Sequence, residues 1–401
     1  MPPKILILPS FYPMEMDFPR GNFFQEQTEM LVQNGVNATV LFNESRSIRS
    51  FTIKKFRLAH FQTTYGIENN VPVFRKRGWN IIPTKFKLGS KIWIYNSIKL
   101  FEHYINNYGK PDIIHAHCAQ NAGMVALHIK RKYNIPYLIT EHSTAYALKP
   151  LSVELKSAIN EVYSNAFKVI AVSTEFQKLL ANKLSLPVNL FEVIPNFIDT
   201  NYFQNTAIGD SSQLPYLTIF TVCYHERKKR IDRLIEAFHN ICQQVANVKL
   251  VIGGVGPETS RLQAQVKRLN LDSKISFSGF LTKEQVKDQL SKTSIFVLPS
   301  DVETFGVVLI EAMAMGVPVI STRSGGPEDI ISPETGILVE KTSEDLQKAI
   351  LHLIANKSQF DSVKIRRRIL DNYSGKAVAD QYKLIYNNAF SALLNFESTR
   401  N

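Results

Sequence analysis

The sequence is richest in chemistry across the segment SIFVLPSDVETFGVVLIEAMAMGVPVISTRSGGPEDI, where Glu303 and Glu311 are separated by seven residues. The apolar run ending at Leu298 and Pro299 reads as a strand, and a turn with Ser300, Asp301 and Glu303 follows it. A helix is expected from about Thr304 or Phe305 to Met315, stopped by Gly316 with Pro318 just beyond. Free backbone N–H groups at Phe305, Gly306 and Val307 would then offer the positive end of the helix dipole to an anion or a hydroxyl. Gly306 would allow close approach of a ligand. Glu303 precedes the helix and Glu311 lies about two turns along it, so the pair would hold two parts of one extended ligand rather than share a proton. A carboxylate accepts two hydrogen bonds and suits vicinal sugar hydroxyls. Glu311 alone could be a solvated helix residue, but Leu309, Ile310, Ala312 and Met313 around it favour a buried, partnered one.

Other segments invite chemistry less directly. His115 and His117 sit two apart on an apolar run, hence on the same side of a strand. They could be hydrogen-bonded structural residues or metal ligands, but no third ligand stands at a recognisable spacing, so no metal is expected. His142 is a second candidate on the same half, and Glu141 a weaker one. Gly253-Gly254-Val255-Gly256 follows a strand but lacks the third glycine of a dinucleotide fingerprint, and Pro257 comes next, which argues against NAD. Cys118, Cys223 and Cys242 are too widely spread for a disulfide framework or a zinc site, and a reducing cytosol fits them.

The elements that must position these residues alternate between short apolar runs and helical patterns along the whole chain, which predicts an α/β protein of two doubly wound domains. Strands are expected at Lys4 to Leu8, Ala38 to Phe42, Asp112 to Ala116, Tyr137 to Thr140 and Val169 to Val172. A second set is expected at Tyr216 to Val222, Val248 to Gly253, Ile275 to Ser278, Ile295 to Leu298 and Val317 to Ser321. Helices are expected at Asn22 to Gln33, Arg233 to Val245, Ser260 to Leu269 and Lys283 to Leu290. The polar stretch Asn205 to Leu214 reads as the boundary, giving domains of 1–205 and 206–375. The tail of 376–401 carries Val378, Tyr382, Leu384, Ile385 and Phe390 at helical spacings and is expected to pack back on the first domain. Ligands of such sheets bind at the carboxyl ends of the strands, so two facing domains would share a central cleft.

Taken together, LPS, Glu303-x7-Glu311, FGVVLIEAMAMGVPVI and the pair Gly325-Gly326 resemble the signature of family 4 retaining glycosyltransferases of the GT-B fold. VIPNFIDTNYF, LVIGGVGPE, ISFSGFL, PDIIHAH and PRGNFFQEQTEMLVQNGV resemble further elements of that family, and the likeness is weakest from about Glu44 to Asn107. The resemblance implies that Glu311 holds the ribose of a UDP- or GDP-linked sugar and Glu303 its hexose, with the backbone at Phe305 to Val307 on sugar or diphosphate oxygens. It places Gly256 in a donor-binding loop, Gly21 against the diphosphate and His117 near the reacting carbon. In TVCYHERKKRIDRLIEAF, Lys229 aligns with the family lysine that stabilises the departing diphosphate. Tyr224 stands where an arginine is usual, and Arg227 or Lys228, with Arg227 preferred, would replace it unless Arg227 to Arg230 are simply a solvated turn. The implied activity is metal-independent hexose transfer, with retention, to a hydroxyl of a lipid-linked or polysaccharide acceptor. A non-catalytic nucleotide-sugar-binding subunit, an epimerase and a phosphorylase are the alternatives.

The chain has 401 residues, 44% of them apolar and 20% charged, which suits two globular domains and excludes a mainly disordered chain. Its 47 basic and 35 acidic residues leave +12, and the stretch from Arg46 to Lys99 holds twelve Lys or Arg against one acid, Glu68. Trp79, Trp93, Phe74, Phe86 and Tyr95 lie in the same stretch. It reads either as a solvated basic face with aromatic rings behind it or as a surface for anionic lipid. No nucleic-acid-binding module is recognisable. The first apolar run is too short for a signal peptide and no run could span a bilayer, so a cytoplasmic protein, peripheral at most to the inner face of the membrane, is expected.

Overall fold

The structure, a computed structural model, describes residues 2–14, 21–48, 51–53, 56–57, 61–80, 82, 87–204 and 216–398. The boundary expected at Asn205 to Leu214 lies outside these residues. Contacts group the chain into two units. Met1–Val172, Gln177–Ile194 and Ala379–Asn401 form the first, and Ser173–Phe176 with Pro195–Val378 the second.

Among the described residues the first unit holds an eight-stranded sheet, ordered β3-β4-β2-β1-β5-β6-β7-β8. Its strands are β1 (Ile5–Pro9), β2 (Ala38–Ser47), β3 (Thr63–Glu68), β4 (Val71–Asn80), β5 (Ile113–His117), β6 (Tyr137–Glu141), β7 (Lys168–Ala171) and β8 (Phe191–Val193). Every pairing is parallel except β3 with β4. β1, β5 and β6 are buried along their whole length, as parallel strands covered on both faces must be, and so they read as unbroken apolar runs. The crossover helices include α1 (Asn22–Gln33) and α2 (Lys87–Tyr108). The first matches the expected span. The second and the β3–β4 hairpin fill the stretch where sequence pattern is weakest.

The second unit holds a parallel sheet ordered β11-β10-β9-β12-β13-β14. Its strands are β9 (Leu217–Val222), β10 (Val248–Gly253), β11 (Ile275–Gly279), β12 (Ile295–Leu298), β13 (Val319–Thr322) and β14 (Gly336–Val339). Between them run α3 (Ile231–Ile241), α4 (Thr259–Arg268), α5 (Lys283–Ser291) and α6 (Val307–Ala314). The last helix of the chain, α7 (Gly375–Ser398), lays Tyr382, Ile385, Tyr386 and Ala389 inside the first unit from residue 379 onward. Leu384 is 63% exposed rather than packed. The buried set recurs every three to four residues, and 384 falls off that stripe.

Strand order reverses in each sheet where a strand lies between the next one in sequence and a later one. These switch points are β1/β5 in the first unit and β9/β12 in the second. Loops diverge there and leave a crevice at the carboxyl ends of the strands. Gly21 follows β1 and His117 ends β5. Lys229 follows β9 and Glu303 follows β12.

Candidate functional site

The second unit brings Lys229 and Glu303 together. Lys229 Nζ lies 2.6 Å from Glu303 Oε1, and the Ser300 hydroxyl donates to the same oxygen at 2.6 Å. Both charged side chains are largely withdrawn from water. Burial disfavours the ammonium charge, but attraction to Glu303 and the hydrogen bond to it overcome this, and the Lys229 pKa lies above the ordinary lysine value. Lys229 is thus a permanent, fixed cation at neutral pH. Burial, the largest influence on Cys223, pushes its thiol up to about 12, so it stays protonated and offers no nucleophile beside the pair.

The turn that carries Glu303 is zipped to the turn after β13. Glu303 N–H donates to Ser324 O at 2.8 Å, and Gly326 N–H donates to Glu303 O at 3.0 Å. A Cβ on Gly326 would stand 2.1 Å from the Phe305 Cα, so the glycine is required for this close backbone approach. Helix α6 begins at Val307, two residues later than the sequence suggests, because Gly306 takes a left-handed conformation with φ 105° and acts as the cap. Phe305 therefore precedes the helix. Its ring is buried, with Tyr373 5.9 Å away edge-on, and by helix geometry the open N–H groups fall at Val307 and Val308. Glu311 is half-buried one turn into α6, among the buried Leu309, Ile310, Ala312 and Met313.

The cations after β9 divide by partner. Lys228 pairs with Glu226, Arg230 with Asp232 and Asp301, and Arg233 with Asp301 at 2.7 Å. Arg227 is exposed and forms no ion pair among the described residues, which leaves its guanidinium available to an anion. Tyr224 is 51% exposed. Gly256 meets His225, where a Cβ would stand 2.6 Å from both N and O, and its N–H already donates to Thr259 Oγ1 at 2.9 Å. Its glycine identity is explained by packing between two loops.

In the first unit, a Cβ on Gly21 would stand 2.6 Å from the Tyr12 backbone N, and the residue has φ 90°. Pro19 and Arg20 beside it lie outside the described residues. His117 is fully buried, its Nδ1 3.2 Å from His142 Nε2, and its Nε2 has no hydrogen-bond partner among the described residues. Burial drives its pKa down to about 3, so it is a neutral imidazole that can exchange one hydrogen bond with a ligand but carries no charge for a phosphate. Ser10, not singled out in the sequence, donates to His117 O at 2.8 Å and fixes the end of β5. His115 is the structural residue of the pair, with ring nitrogens 2.7 Å from Tyr386 Oη and 2.8 Å from Thr140 Oγ1.

Glu141 is a locked carboxylate, not a free acid or base. It accepts from the backbone of Ala119, His142 and Ser143 and from the hydroxyls of Tyr146 and Tyr163, at 3.0 to 3.2 Å. It ties the turns after β5 and β6 to one another. Glu141→Ala leaves these buried donors without an acceptor and is expected to destabilise the chain by about 3 kcal/mol, read as a lower urea midpoint. A midpoint unchanged within error would refute this role.

Among the described residues no group of three or more His, Cys, Asp or Glu is arranged to hold a metal ion. None of their helices is long and apolar enough to cross a membrane.

Residues 21–202 match the profile of Glycosyltransferase Family 4, and residues 212–373 that of glycosyl transferases group 1. An uncharacterized glycosyltransferase of Methanocaldococcus jannaschii is 31% identical over 69% of this chain and 74% of its own length. A phosphatidylinositol N-acetylglucosaminyltransferase component from Arabidopsis thaliana is 25% identical over 70% of this chain, which spans 62% of that relative. The structure of Anabaena HepE in complex with UDP superposes with a TM-score of 0.71 at 19% identity, covering 96% of this chain and all of HepE. Profiles that together cover most of the chain, and an overall likeness to a known fold, agree with the signature around Glu303 and Glu311: the chain belongs to the family 4 glycosyltransferases, with their GT-B fold.

Proposed function

We propose that the chain transfers a hexose from a UDP- or GDP-linked donor, with retention of anomeric configuration, to a hydroxyl of a lipid-linked or polysaccharide acceptor. The observation that carries this reading is the Lys229–Glu303 pair at the β9/β12 switch point, one turn before the open N–H groups of α6. A fixed cation and a helix N-terminus are suited to the charge that develops on a departing diphosphate, and they act without reorganising. Arg227 adds a second cation from its exposed position. Glu303 and Glu311 supply acceptors for the hexose and the ribose, and in the first unit the uncharged Nε2 of His117 has the chemistry to meet a hydroxyl. The acceptor hydroxyl loses its proton to the departing diphosphate oxygen on the same face of the sugar, so retention needs no protein nucleophile. The complex of HepE with UDP supports a nucleotide donor. The phosphatidylinositol in the name of the Arabidopsis relative supports a lipid acceptor.

Incubation of the purified chain with UDP- and GDP-hexoses, with and without EDTA, tests the reading through release of nucleoside diphosphate. One donor class is expected to turn over, at a rate EDTA leaves unchanged. Loss of turnover in EDTA that divalent metal restores would overturn the metal-independent scheme, and release from neither class would overturn the donor assignment.

A further inference from the structure

The basic stretch of the first unit does not form one surface. Arg46 and Arg75 are buried around the fully buried Glu44, at 2.5 and 2.9 Å, and Arg75 also binds Glu68 at 2.8 Å and donates to Pro13 O. Arg77 lies 3.9 Å from Glu44. These arginines brace the sheet edge and the loop after β1 from inside. Trp93 and Phe74 are also interior, contrary to a role for them at an interface, and Phe86 lies outside the described residues.

What remains outside is concentrated at one rim. Trp93 Nε1 donates to Asn43 O, and farther along the helix Tyr104 bonds the Thr39 side chain, so α2 runs antiparallel to β2. Its first two turns therefore lie beside the carboxyl end of β2, where Ser45 and Arg46 pair with Gly78 and Trp79 of β4. On the outer face of those turns Leu88, Ile92 and Tyr95 are 56%, 42% and 61% exposed, spaced as a helical stripe and flanked by the exposed Lys87 and Lys91. At the same end the Phe51 ring packs 5.2 Å from Trp79 and 5.7 Å from Phe56. Phe61 reaches within 3.8 Å of a Cβ position on Gly78. The rim also borders the turn after His117. Ser90 of α2 donates to Asn121 Oδ1 at 2.6 Å, in the turn that directly follows His117 and that holds Cys118 and Asn121 at positive φ.

We propose that this rim seats in the headgroup layer of an anionic bilayer, so that the acceptor is presented from the membrane to the His117 turn. The inference deepens the acceptor reading above and rests on it. Apolar and aromatic tips alternating with lysines suit a bilayer, because lysine stems bury while their ammonium groups reach the phosphates. Glu68, the single acid between Arg46 and Lys99, is taken up by Arg75, and the exposed Glu154 near Lys87 offsets only part of the lysine charge at the rim. Each basic side chain near such a surface multiplies binding by about fivefold.

Sedimentation of the full chain with phosphatidylcholine vesicles, with and without phosphatidylglycerol, tests the proposal without donor or acceptor. Binding at low salt is expected to be at least tenfold tighter to the anionic vesicles, and Leu88→Glu/Ile92→Glu is expected to abolish most of it. The melting temperature and release of diphosphate to water should stay as in the parent chain. Equal binding to neutral and anionic vesicles, or undiminished binding by the double variant, would overturn it. Phe51→Glu supplies a second variant from the other half of the rim. Vesicle binding in a chain that turns over no donor would leave the membrane surface standing and remove the transfer reading alone.

Discussion

Lys229→Ala is expected to lower the turnover number about a hundred- to a thousandfold while the Michaelis constant for the donor changes little. The effect falls on turnover because the ammonium is used most fully when the glycosidic bond breaks and the diphosphate gains charge. Lys229→Arg keeps the charge but not the compact point donor that Glu303 Oε1 holds at 2.6 Å, and an intermediate loss is expected. Glu303→Gln probes the other partner. It keeps a hydrogen-bond acceptor for a sugar hydroxyl but releases Lys229 from its ion pair, so both turnover and donor affinity should fall. Arg227→Ala should cost less, since that guanidinium is exposed and screened by water. Activity of Lys229→Ala within twofold of the parent, in a variant whose melting temperature is unchanged, would remove the pair from the chemistry.

Acidification is expected to destabilise the chain before its carboxylates titrate. His115, His117 and His142 are packed together, with ring centroids of neighbouring pairs 4.4 and 5.4 Å apart, and burial is the first cause that lowers the pKa of each. For His117 the value falls to about 3, against about 6.5 for an imidazole in the unfolded chain. A depressed histidine pKa means that the unfolded state binds the proton more readily. The stability from a neutral buried imidazole is therefore complete above about pH 6.5 and drains away as the pH falls toward the folded-state value. At pH 5 a neutral His117 costs about 2 kcal/mol, and His115 and His142, held well below the ordinary imidazole value by burial first, act in the same direction. The Asp301 carboxyl, which burial would raise but Arg233 and Arg230 hold low, keeps its contribution at pH 5 and loses it only as the pH falls below about 4. Urea midpoints at pH 7 and pH 5 measure the effect, and His117→Gln should narrow the difference between them. Identical midpoints at the two pH values would show that the cluster is not buried in solution.

Much of the fold can be read from local pattern. β10 and β12 match their expected bounds, as does α1, because short apolar runs and an amphipathic helix ended by Gly35 leave little ambiguity in period. The stretch from Arg46 to Lys99 resists the same reading. Its arginines count as surface charge in any composition argument, yet Arg46 and Arg75 are interior because Glu44, outside the counted window, draws them in. Glu141 looks like a weak acid or base candidate by its place beside His142, and its five donors come from three separate segments of chain. Helix α6 starts two residues late because the left-handed Gly306 is set by how the Glu303 turn meets Gly325 and Gly326, which no local propensity encodes.

The types of residue available for chemistry, their order along the chain and the strand ends on which they sit were determined by the sequence alone, since spacing and period are properties of neighbours. The tertiary structure decided which charges face one another. Lys229 finds Glu303 across 74 residues, and Tyr386 reaches His115 across 271. Such pairings depend on which strands lie side by side in a sheet, and a hydrogen bond or ion pair of under 3 Å forms only where that order brings two distant side chains to the same point.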